Sequence, residues 1–187
     1  MSELSGIAES ISLETLLNHD ILQEALRSLS LESPLRMVLE NDSLYKTLRS
    51  VRHDYPNQEN YHYAHGIAAV PRGLGYGTRL FAERIRRVVR KDDLMFGFVM
   101  ASPINIPSIR MYLKQDAVID KVEENAYEHG KTYFRLIYAK TIKTDPKDSK
   151  TVTLEDYYIS QIKSLTSKGY IATRFEQPNS LVFNKRL

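Results

Sequence analysis

Residues 61–91 join three segments of different character without a break. The first, YHYAHGIAAV (61–70), is apolar and rich in residues that favour strands, which predicts a buried strand. The second, PRGLGYGT (71–78), holds a cluster of glycines, and the third, RLFAERIRRVVRK (79–91), places apolar residues at helical spacing opposite a basic face. The sequence therefore predicts a strand, a glycine loop and a helix in succession.

The glycine loop is a candidate anion site. Unpaired backbone N–H groups and the positive end of the helix dipole converge at such a loop, and glycine lets a ligand approach the backbone closely. Arg72 and Thr78 would add side-chain donors. The spacing Gly73, Gly75, Gly77 lacks the lysine of a P-loop and the GxGxxG pattern of a dinucleotide fold. A tight strand-to-helix connection without a ligand explains the glycines as well, so both interpretations stay open.

The segments that follow continue an alternation of strands and helices. LMFGFVMAS (94–102) predicts a central strand, and 105–115 predicts a helix with Pro107 in its first turn. Residues 117–142 predict two strands joined near His129 and Gly130. A core of α/β character is thus expected between 61 and 142.

The flanking segments are predicted as follows. On the N-terminal side we expect two short helices within 1–32, a hairpin in preference to a helix over 35–51, and a loop over 52–60. On the C-terminal side, we expect a linker over 144–150, a helix over 153–167 and a hairpin formed by GYIATRF (169–175) and SLVFNKR (180–186).

Composition excludes several classes of protein. The 187 residues contain 42% hydrophobic and 26% charged residues, a globular composition, and no cysteine, which excludes disulfide scaffolds, thiol nucleophiles and Cys-ligated zinc. We predict no metal site. The longest apolar run, 94–101, is too short to cross a membrane, and MSELSGIAES has no signal-peptide pattern, so we expect a cytoplasmic protein without a membrane partner. A net charge of +3 is weak for a nucleic-acid partner, which we do not expect.

Two spaced motifs point to one family. Arg72, Gly75 and Gly77 match the pattern Arg or Gln, two residues, Gly, one residue, Gly or Ala. After the next strand, Asn105, Ser108 and Tyr112 match the pattern Asn, two residues, Ala or Ser, three residues, Tyr. In this order and separation the motifs resemble the GNAT superfamily of N-acetyltransferases over about residues 61–142.

The resemblance implies a fold and a domain organisation. We expect an α/β (α+β) fold with a mixed, mostly antiparallel sheet, a splayed central strand pair and flanking helices. Residues 1–142 would form an acyl-CoA-binding domain, with a core at 61–142 and an atypical, helical part at 1–60. Residues 143–187 would form a C-terminal α/β extension that completes the sheet, covers the acceptor cleft or mediates homodimer formation.

The resemblance also implies acetyl-CoA as co-substrate and assigns residues to it. The coenzyme-binding candidates are Ala69, Val70, Arg72, Gly73, Leu74, Gly75, Tyr76, Gly77, Thr78, Asn105, Ser108 and Tyr112. Tyr112 would protonate the coenzyme A thiolate, and backbone amides around Ala69 and Val70 would polarise the thioester carbonyl.

A base must accept the proton of the amine, and candidates lie on or just before the strand 61–70: His62, Tyr63, His65 and, more remotely, Glu59. We choose His65, because an unperturbed histidine titrates near pH 6.5 and this one stands close to the expected splay. Alternation sends His62 and His65 to opposite faces unless a bulge intervenes. Attack assisted by a relay of water is the alternative.

Three hypotheses of function follow. The first is an acetyl-CoA-dependent N-acetyltransferase that modifies a primary amine of a protein or a small molecule. The alternative is a non-catalytic acyl-CoA-binding module with a regulatory or assembly role, suggested by the atypical N-terminal half and by Asp116, which with Ala117 stands where the family has glycine and an aromatic residue. The third is nucleic-acid binding through the basic helix at 79–91.

Overall fold

The computed structural model describes residues 5–12, 42–70, 74–126 and 130–187. Within these ranges the strands are β1 (Ser5–Ser12), β2 (Tyr61–Val70), β3 (Leu94–Ser102), β4 (Val118–Glu124), β5 (Thr132–Tyr138), β6 (Thr144–Thr153), β7 (Tyr170–Glu176) and β8 (Ser180–Arg186). The helices are α1 (Asp42–Asp54), α2 (Tyr76–Val88), α3 (Ile106–Leu113) and α4 (Tyr158–Ser167). None of the helices in this part of the chain is long and apolar enough to cross a membrane.

The strands form one sheet in the order β1-β2-β3-β5-β4-β7-β8-β6. Only β2 and β3 run parallel among the neighbours in this sheet, and the other neighbouring pairs are antiparallel. The architecture is therefore a mixed, mostly antiparallel sheet flanked by helices, as predicted.

The parallel pair separates part of the way along its length. The β2–β3 ladder runs from Tyr61 opposite Leu94 to Ala64 opposite Gly97, whereas β2 continues to Val70 and β3 to Ser102. A Cβ atom at Gly97 would lie 2.8 Å from the carbonyl oxygen of Ala64, so only glycine permits this close approach. The predicted splay of the central strand pair is thus present, and it opens directly after Ala64 and Gly97.

A bulge in β2 coincides with this opening. In the β1–β2 ladder Ser10 lies opposite Ala64 and Glu9 lies opposite Gly66, so His65 is the extra residue of β2. A bulge of this kind interrupts the ladder and breaks the simple alternation of a strand. Strand alternation predicts opposite faces for His62 and His65 unless a bulge lies between them, and the structure has such a bulge at His65 itself.

Helices α2 and α3 pack on the sheet through apolar side chains. Phe81 and Ile85 of α2 pack with Met95, and Ile109 of α3 shares a second cluster with Phe183 of β8. The apolar face predicted for the basic helix is thus buried in the core.

An ion cluster ties the end of α1 to the sheet. Arg135 of β5, 1% exposed, donates from Nε and Nη2 to the carboxylate of Asp120 at 2.9 and 2.6 Å, and from Nη2 to Asp54 at 2.7 Å. The Tyr55 hydroxyl donates to Asp120 at 2.8 Å. A buried guanidinium is tolerated here because carboxylates satisfy it on two sides.

Three predictions of secondary structure were wrong. Residues 5–12, expected to be helical, form β1, because pairing with β2 outweighs the local pattern; residues 13–41 lie outside the described part. A helix forms where the sequence predicted a hairpin over 35–51: α1 begins at Asp42, and its residues Thr47 and Val51 lie on one buried face. Because α1 continues to Asp54, the loop predicted over 52–60 is shorter than expected. The expected linker 144–150 belongs to β6, an edge strand whose ladder is irregular between Asp145 and Ser149, which accommodates Pro146.

The other elements are those that the sequence predicts, although α2 begins at Tyr76, three residues before the predicted helix 79–91, and ends at Val88, three residues before its predicted end. β2 and β3 have the predicted bounds, and β4 and β5 are joined through a turn that includes Gly130, with residues 127–129 outside the described part. The C-terminal hairpin is β7 and β8. Helix α4 begins at Tyr158, five residues later than predicted.

Candidate active site

The first turn of α2 begins at a glycine in the left-handed region. Gly75 has φ 75° and ψ 7°, caps the helix, and would have open space around an added Cβ atom. Its carbonyl accepts the Arg79 N–H at 3.1 Å, the first hydrogen bond of the helix. Tyr76, Gly77 and Thr78 form the first turn, where backbone N–H groups have no acceptor within the helix. Of the predicted loop residues, Leu74 is 59% exposed, and Arg72 and Gly73 lie outside the described part.

Beyond the ladder, β2 presents a backbone edge that β3 does not pair. This part of β2 begins at His65 and includes Ala69 and Val70, which on the other edge face Gly6 and Ser5 of β1. The backbone of three predicted site residues, His65, Ala69 and Val70, thus lies in the splayed part of the strand. Such an edge can offer N–H and C=O groups to an extended ligand.

Tyr112 lies at the closed end of the splay. Its ring packs edge-on against Phe81 with centroids 4.7 Å apart, and it lines a cavity of about 10 Å³ together with Ala64 and Gly97. Burial raises the pKa of the Tyr112 phenol, and the positive charge of Arg84 acts in the opposite direction. The phenol therefore keeps its proton at neutral pH, as a general acid must.

Asn105 and Ser108 have a local structural role at the start of α3. The side-chain oxygen of Asn105 accepts the Ser108 N–H at 3.2 Å and so caps the helix. This hydrogen bond explains the Asn-x-x-Ser spacing without a ligand, and Tyr112 follows on the same helix.

His62, one of the alternative bases, is held away from the splay. Its Nε2 lies 3.3 Å from the Asp93 carboxylate at the start of β3. Burial acts to raise the pKa of Asp93, but hydrogen bonds from the Asn60 side chain at 2.7 Å and the Arg90 amide at 2.9 Å, and the contact with His62, hold it below its usual range. His62 thus belongs to a structural cluster that joins the starts of β2 and β3.

The remaining alternatives are no better placed. Tyr63 is buried, with its ring 5.4 Å from that of Phe96, and Glu59 is exposed before β2 begins. His65 is the candidate whose backbone stands at the bulge.

Sequence reasoning missed Gly97. A glycine inside an otherwise apolar strand is a recognised sign that another backbone approaches closely, so this signal was available. The β1 strand, which completes the bulge, had no comparable signal in its own residues.

The known proteins to which this chain is similar are solved structures. No protein-family model and no curated protein matches the sequence. Polyamine N-acetyltransferase of Drosophila melanogaster is similar to this chain with 12% identity and a TM-score of 0.44 over 73% of this chain and 68% of the other. Naa50 of Arabidopsis thaliana, in complex with the bisubstrate analogue CoA-Ac-MVNAL, has 13% identity and a TM-score of 0.40 over 72% and 99%.

A third solved structure, a mosquito arylalkylamine N-acetyltransferase like 5b, has 15% identity and a TM-score of 0.42 over 72% of this chain and 67% of the other. The similarity of this chain to these acetyltransferases is one of fold.

Proposed function

We propose that the protein is an acetyl-CoA-dependent N-acetyltransferase that transfers an acetyl group to a primary amine of a protein or a small molecule. The observation that carries the proposal is the parting of β2 and β3 directly after Ala64 and Gly97, with Tyr112 at the closed end. The two sequence motifs support it independently, because Gly75 and Gly77 lie at the start of α2, and Ser108 and Tyr112 lie on α3.

The site fits acetyl-CoA, which supplies a thioester for transfer when it is bound. The left-handed Gly75 and the open space beside it allow a diphosphate to approach the amides of Gly77 and Thr78 at the positive end of α2. Arg72, Gly73, Leu74 and Tyr76 complete the proposed loop. The unpaired edge of β2 would hold the pantetheine arm in the manner of an added strand.

Two residues are proposed to move protons. His65 would accept the proton of the attacking amine, since an ammonium ion has no lone pair with which to attack a carbonyl carbon. Tyr112 would donate its hydroxyl proton to the sulfur of the departing thiolate. The backbone amides near Ala69 and Val70 would stabilise the negative charge that develops on the carbonyl oxygen.

The first experiment measures coenzyme binding by thermal shift with acetyl-CoA, coenzyme A and ATP. We expect both coenzymes to raise the melting temperature, because a ligand that binds only the folded state stabilises it. The Gly77→Glu variant should lose this rise, since a carboxylate would occupy the proposed diphosphate position, while the Gly77→Ala control should keep it. No rise with either coenzyme in the unmodified protein contradicts the proposal.

The second experiment separates an enzyme from a binding module. Thiol release from acetyl-CoA is followed with a panel of primary amines that includes polyamines, arylalkylamines and peptides with free N-termini or lysines. Amine-dependent release supports the transferase. Coenzyme binding without release for any amine would instead support the non-catalytic acyl-CoA-binding module.

A further inference from the structure

The outer face of α1 carries a row of positive charge. Lys46, Arg49 and Arg52 follow one another at intervals of three residues, which places them on one side of the helix, and all three are exposed. Among the described residues, no carboxylate lies within ion-pair distance of any of the three. We call these residues the α1 row; their charge is open to a ligand.

The basic face of α2, which the sequence singled out, differs in this respect. Glu83 accepts hydrogen bonds from Arg86 Nε and Nη2 at 2.8 and 2.6 Å and from Arg87 Nε at 2.6 Å. Part of the charge of α2 is therefore neutralised within the helix, whereas that of the α1 row is not.

Two grooves lie along this side of the molecule. The α1 groove has a volume of about 430 Å³ and is lined by Arg49, Arg52, His53 and Pro56. The β4–β7 groove has a volume of about 380 Å³, and its lining includes four basic side chains: Lys121, Arg135, Lys163 and Arg186. Both volumes lie within the range of ligand-binding clefts.

The β4–β7 groove follows from an incomplete ladder. Strands β4 and β7 are paired at Ile119 opposite Ala172, and no further pair of these two strands is formed. On this side, the edge of β4 from Asp120 to Glu124 has no strand partner in the described part of the chain. Backbone N–H and C=O groups of β4 are thus left for another partner.

The negative charges in the β4–β7 groove are already used. Asp54 and Asp120 both accept hydrogen bonds from Arg135, at 2.6 to 2.9 Å. Arg186, in contrast, has no carboxylate within ion-pair distance among the described residues; its guanidinium lies over the Tyr55 ring, 4.2 Å from the centroid, and Nη2 donates to the Asp54 carbonyl at 3.2 Å. Arg186 therefore adds a further uncompensated cation.

The two grooves meet at Asp54. His53 Nδ1 lies 3.4 Å from one oxygen of the Asp54 carboxylate, and Lys121 Nζ lies 3.7 Å from the other. This surface is on the face of the sheet opposite α3, because Arg135 alternates along β5 with two residues that pack in the cluster of α3, Phe134 and Leu136. It is therefore separate from the proposed coenzyme site.

The chemistry of this surface favours an acidic polypeptide over a nucleic acid. Guanidinium groups bind carboxylates in a two-pronged arrangement, and the free edge of β4 can pair with an extended peptide backbone, which a nucleic acid lacks. None of the described residues that line the two grooves is aromatic, so bases would find no platform on which to stack.

We propose that the surface formed by the α1 row and the β4–β7 groove binds an extended, acidic segment of a polypeptide. Alternate side chains of an extended chain point the same way, so acidic residues at every second position would face Arg49, Arg52 and Arg186. The inference goes beyond the proposed acetyl transfer and does not depend on coenzyme binding.

Fluorescence anisotropy of labelled ligands tests this binding. The probes are a peptide of alternating glutamate and serine, its counterpart with glutamine in place of glutamate, and single-stranded and double-stranded RNA, all at one ionic strength. We expect the glutamate peptide to bind most tightly. Arg49→Gln/Arg52→Gln should weaken its binding by at least about tenfold, the value of one charge-assisted contact, and Arg186→Gln should also weaken it.

The matched control is Arg86→Gln/Arg87→Gln, which removes the same charge from exposed positions on α2 and should leave the affinity for the glutamate peptide unchanged. Arg49→Lys/Arg52→Lys keeps the charge of α1 and should bind more tightly than Arg49→Gln/Arg52→Gln. Melting temperatures verify that each variant is folded.

Three results would overturn the inference. The first is tighter binding of either RNA than of the glutamate peptide, which would assign the surface to a nucleic acid. The second is equal weakening in the α1 and α2 variants, and the third is no binding of the glutamate peptide. Coenzyme binding is measured separately by thermal shift, so the failure of this inference and the failure of the proposed function are distinguishable.

Discussion

Tyr112 and the backbone of His65 lie on either side of the point where the β2–β3 ladder ends. Tyr112 lines the cavity at Ala64 and Gly97, the last pair, and the backbone of His65 is the first beyond it. The sequence motifs selected Tyr112 and the loop before α2 as candidates for the coenzyme site, and this assignment stays a prediction. They did not select Gly97, whose importance depends on an atom from a distant part of the chain, the carbonyl oxygen of Ala64.

Replacing Tyr112 by phenylalanine tests the acid role. We expect kcat for thiol release to fall by about 10²- to 10⁴-fold, the usual contribution of a positioned acid, with little change in coenzyme binding. Steady-state kinetics and calorimetry measure the two effects. The control is Tyr157→Phe, because Tyr157 is 83% exposed, and an unchanged kcat in Tyr112→Phe would remove the acid role.

The base role of His65 predicts a pH dependence. In the unmodified protein, kcat/KM should decline below about pH 6.5, where an ordinary histidine becomes protonated and can no longer accept a proton. His65→Gln should be slower and should lose this decline, whereas His53→Gln, a change at an exposed histidine with an 89% exposed side chain, should retain it. A decline that persists in His65→Gln would assign proton removal to water or another group.

The way α1 is attached shows how an element is positioned by charge. The helix ends at Asp54, which Arg135 holds from inside the sheet at 2.7 Å, while Lys121 Nζ lies 3.7 Å from the same carboxylate. Burial acts to raise the pKa of Asp54, but the hydrogen bond and charge of Arg135, with help from His53 and Lys121, lower it below its usual value. Helix α1 therefore depends on an ionised carboxylate for its attachment.

This attachment should weaken in acid. Because the folded-state pKa of Asp54 is lowered, its stabilising effect is fully present above the unfolded value of 3.8 and is lost as the pH falls through the lower folded value. At pH 7, Asp54→Asn should reduce the free energy of unfolding by about 1.5 to 3 kcal/mol, as for a hydrogen bond to a charged group. The difference from the unmodified protein should shrink below about pH 4.

Urea denaturation at a series of pH values measures this difference. The control Asp156→Asn changes an exposed carboxylate and should cost little at any pH. A difference for Asp54→Asn that stays constant down to pH 2 would contradict the role assigned to its charge.

Across the whole molecule, one sheet links the predicted coenzyme side to the C-terminal segment. β7 joins the sheet through Ile119 of β4 opposite Ala172, and one apolar cluster combines Ile109 of α3 with Leu181 and Phe183 of β8. The Tyr158 hydroxyl of α4 donates to the Ala101 carbonyl of β3. Residues 143–187, predicted as an extension, thus share a core with residues of the predicted domain 1–142.

This shared core predicts cooperative unfolding. Phe183→Ala, at a position that is fully buried, should lower the free energy of unfolding by about 3 to 5 kcal/mol. Far-UV circular dichroism, near-UV tyrosine signals and loss of coenzyme binding should report one coincident transition. Leu187→Ala, which truncates a side chain that is 78% exposed, is the control, and a separate early transition in Phe183→Ala would show that the C-terminal segment unfolds independently.

Some elements of this fold follow from interactions between residues close in sequence, and others from contacts between residues far apart in the chain. The residues of β2, α2, β3 and α3 determined their own structures, because apolar periodicity, glycine at a positive φ and the Asn105 cap act within a few residues of the chain. The succession of strands and helices that carries the motifs could therefore be predicted from the sequence, whereas the role of the motif residues in binding a coenzyme stays a prediction.

Only the tertiary structure decided where β1 and β6 lie, that β2 bulges at His65, and that the C-terminal hairpin walls a groove beside α2. Each of these depends on pairing or packing between residues far apart in the chain, and such contacts leave little trace in the residues on either side. The loop and the acid of the proposed site are thus local in origin, whereas the opening between β2 and β3 is a property of the assembled sheet.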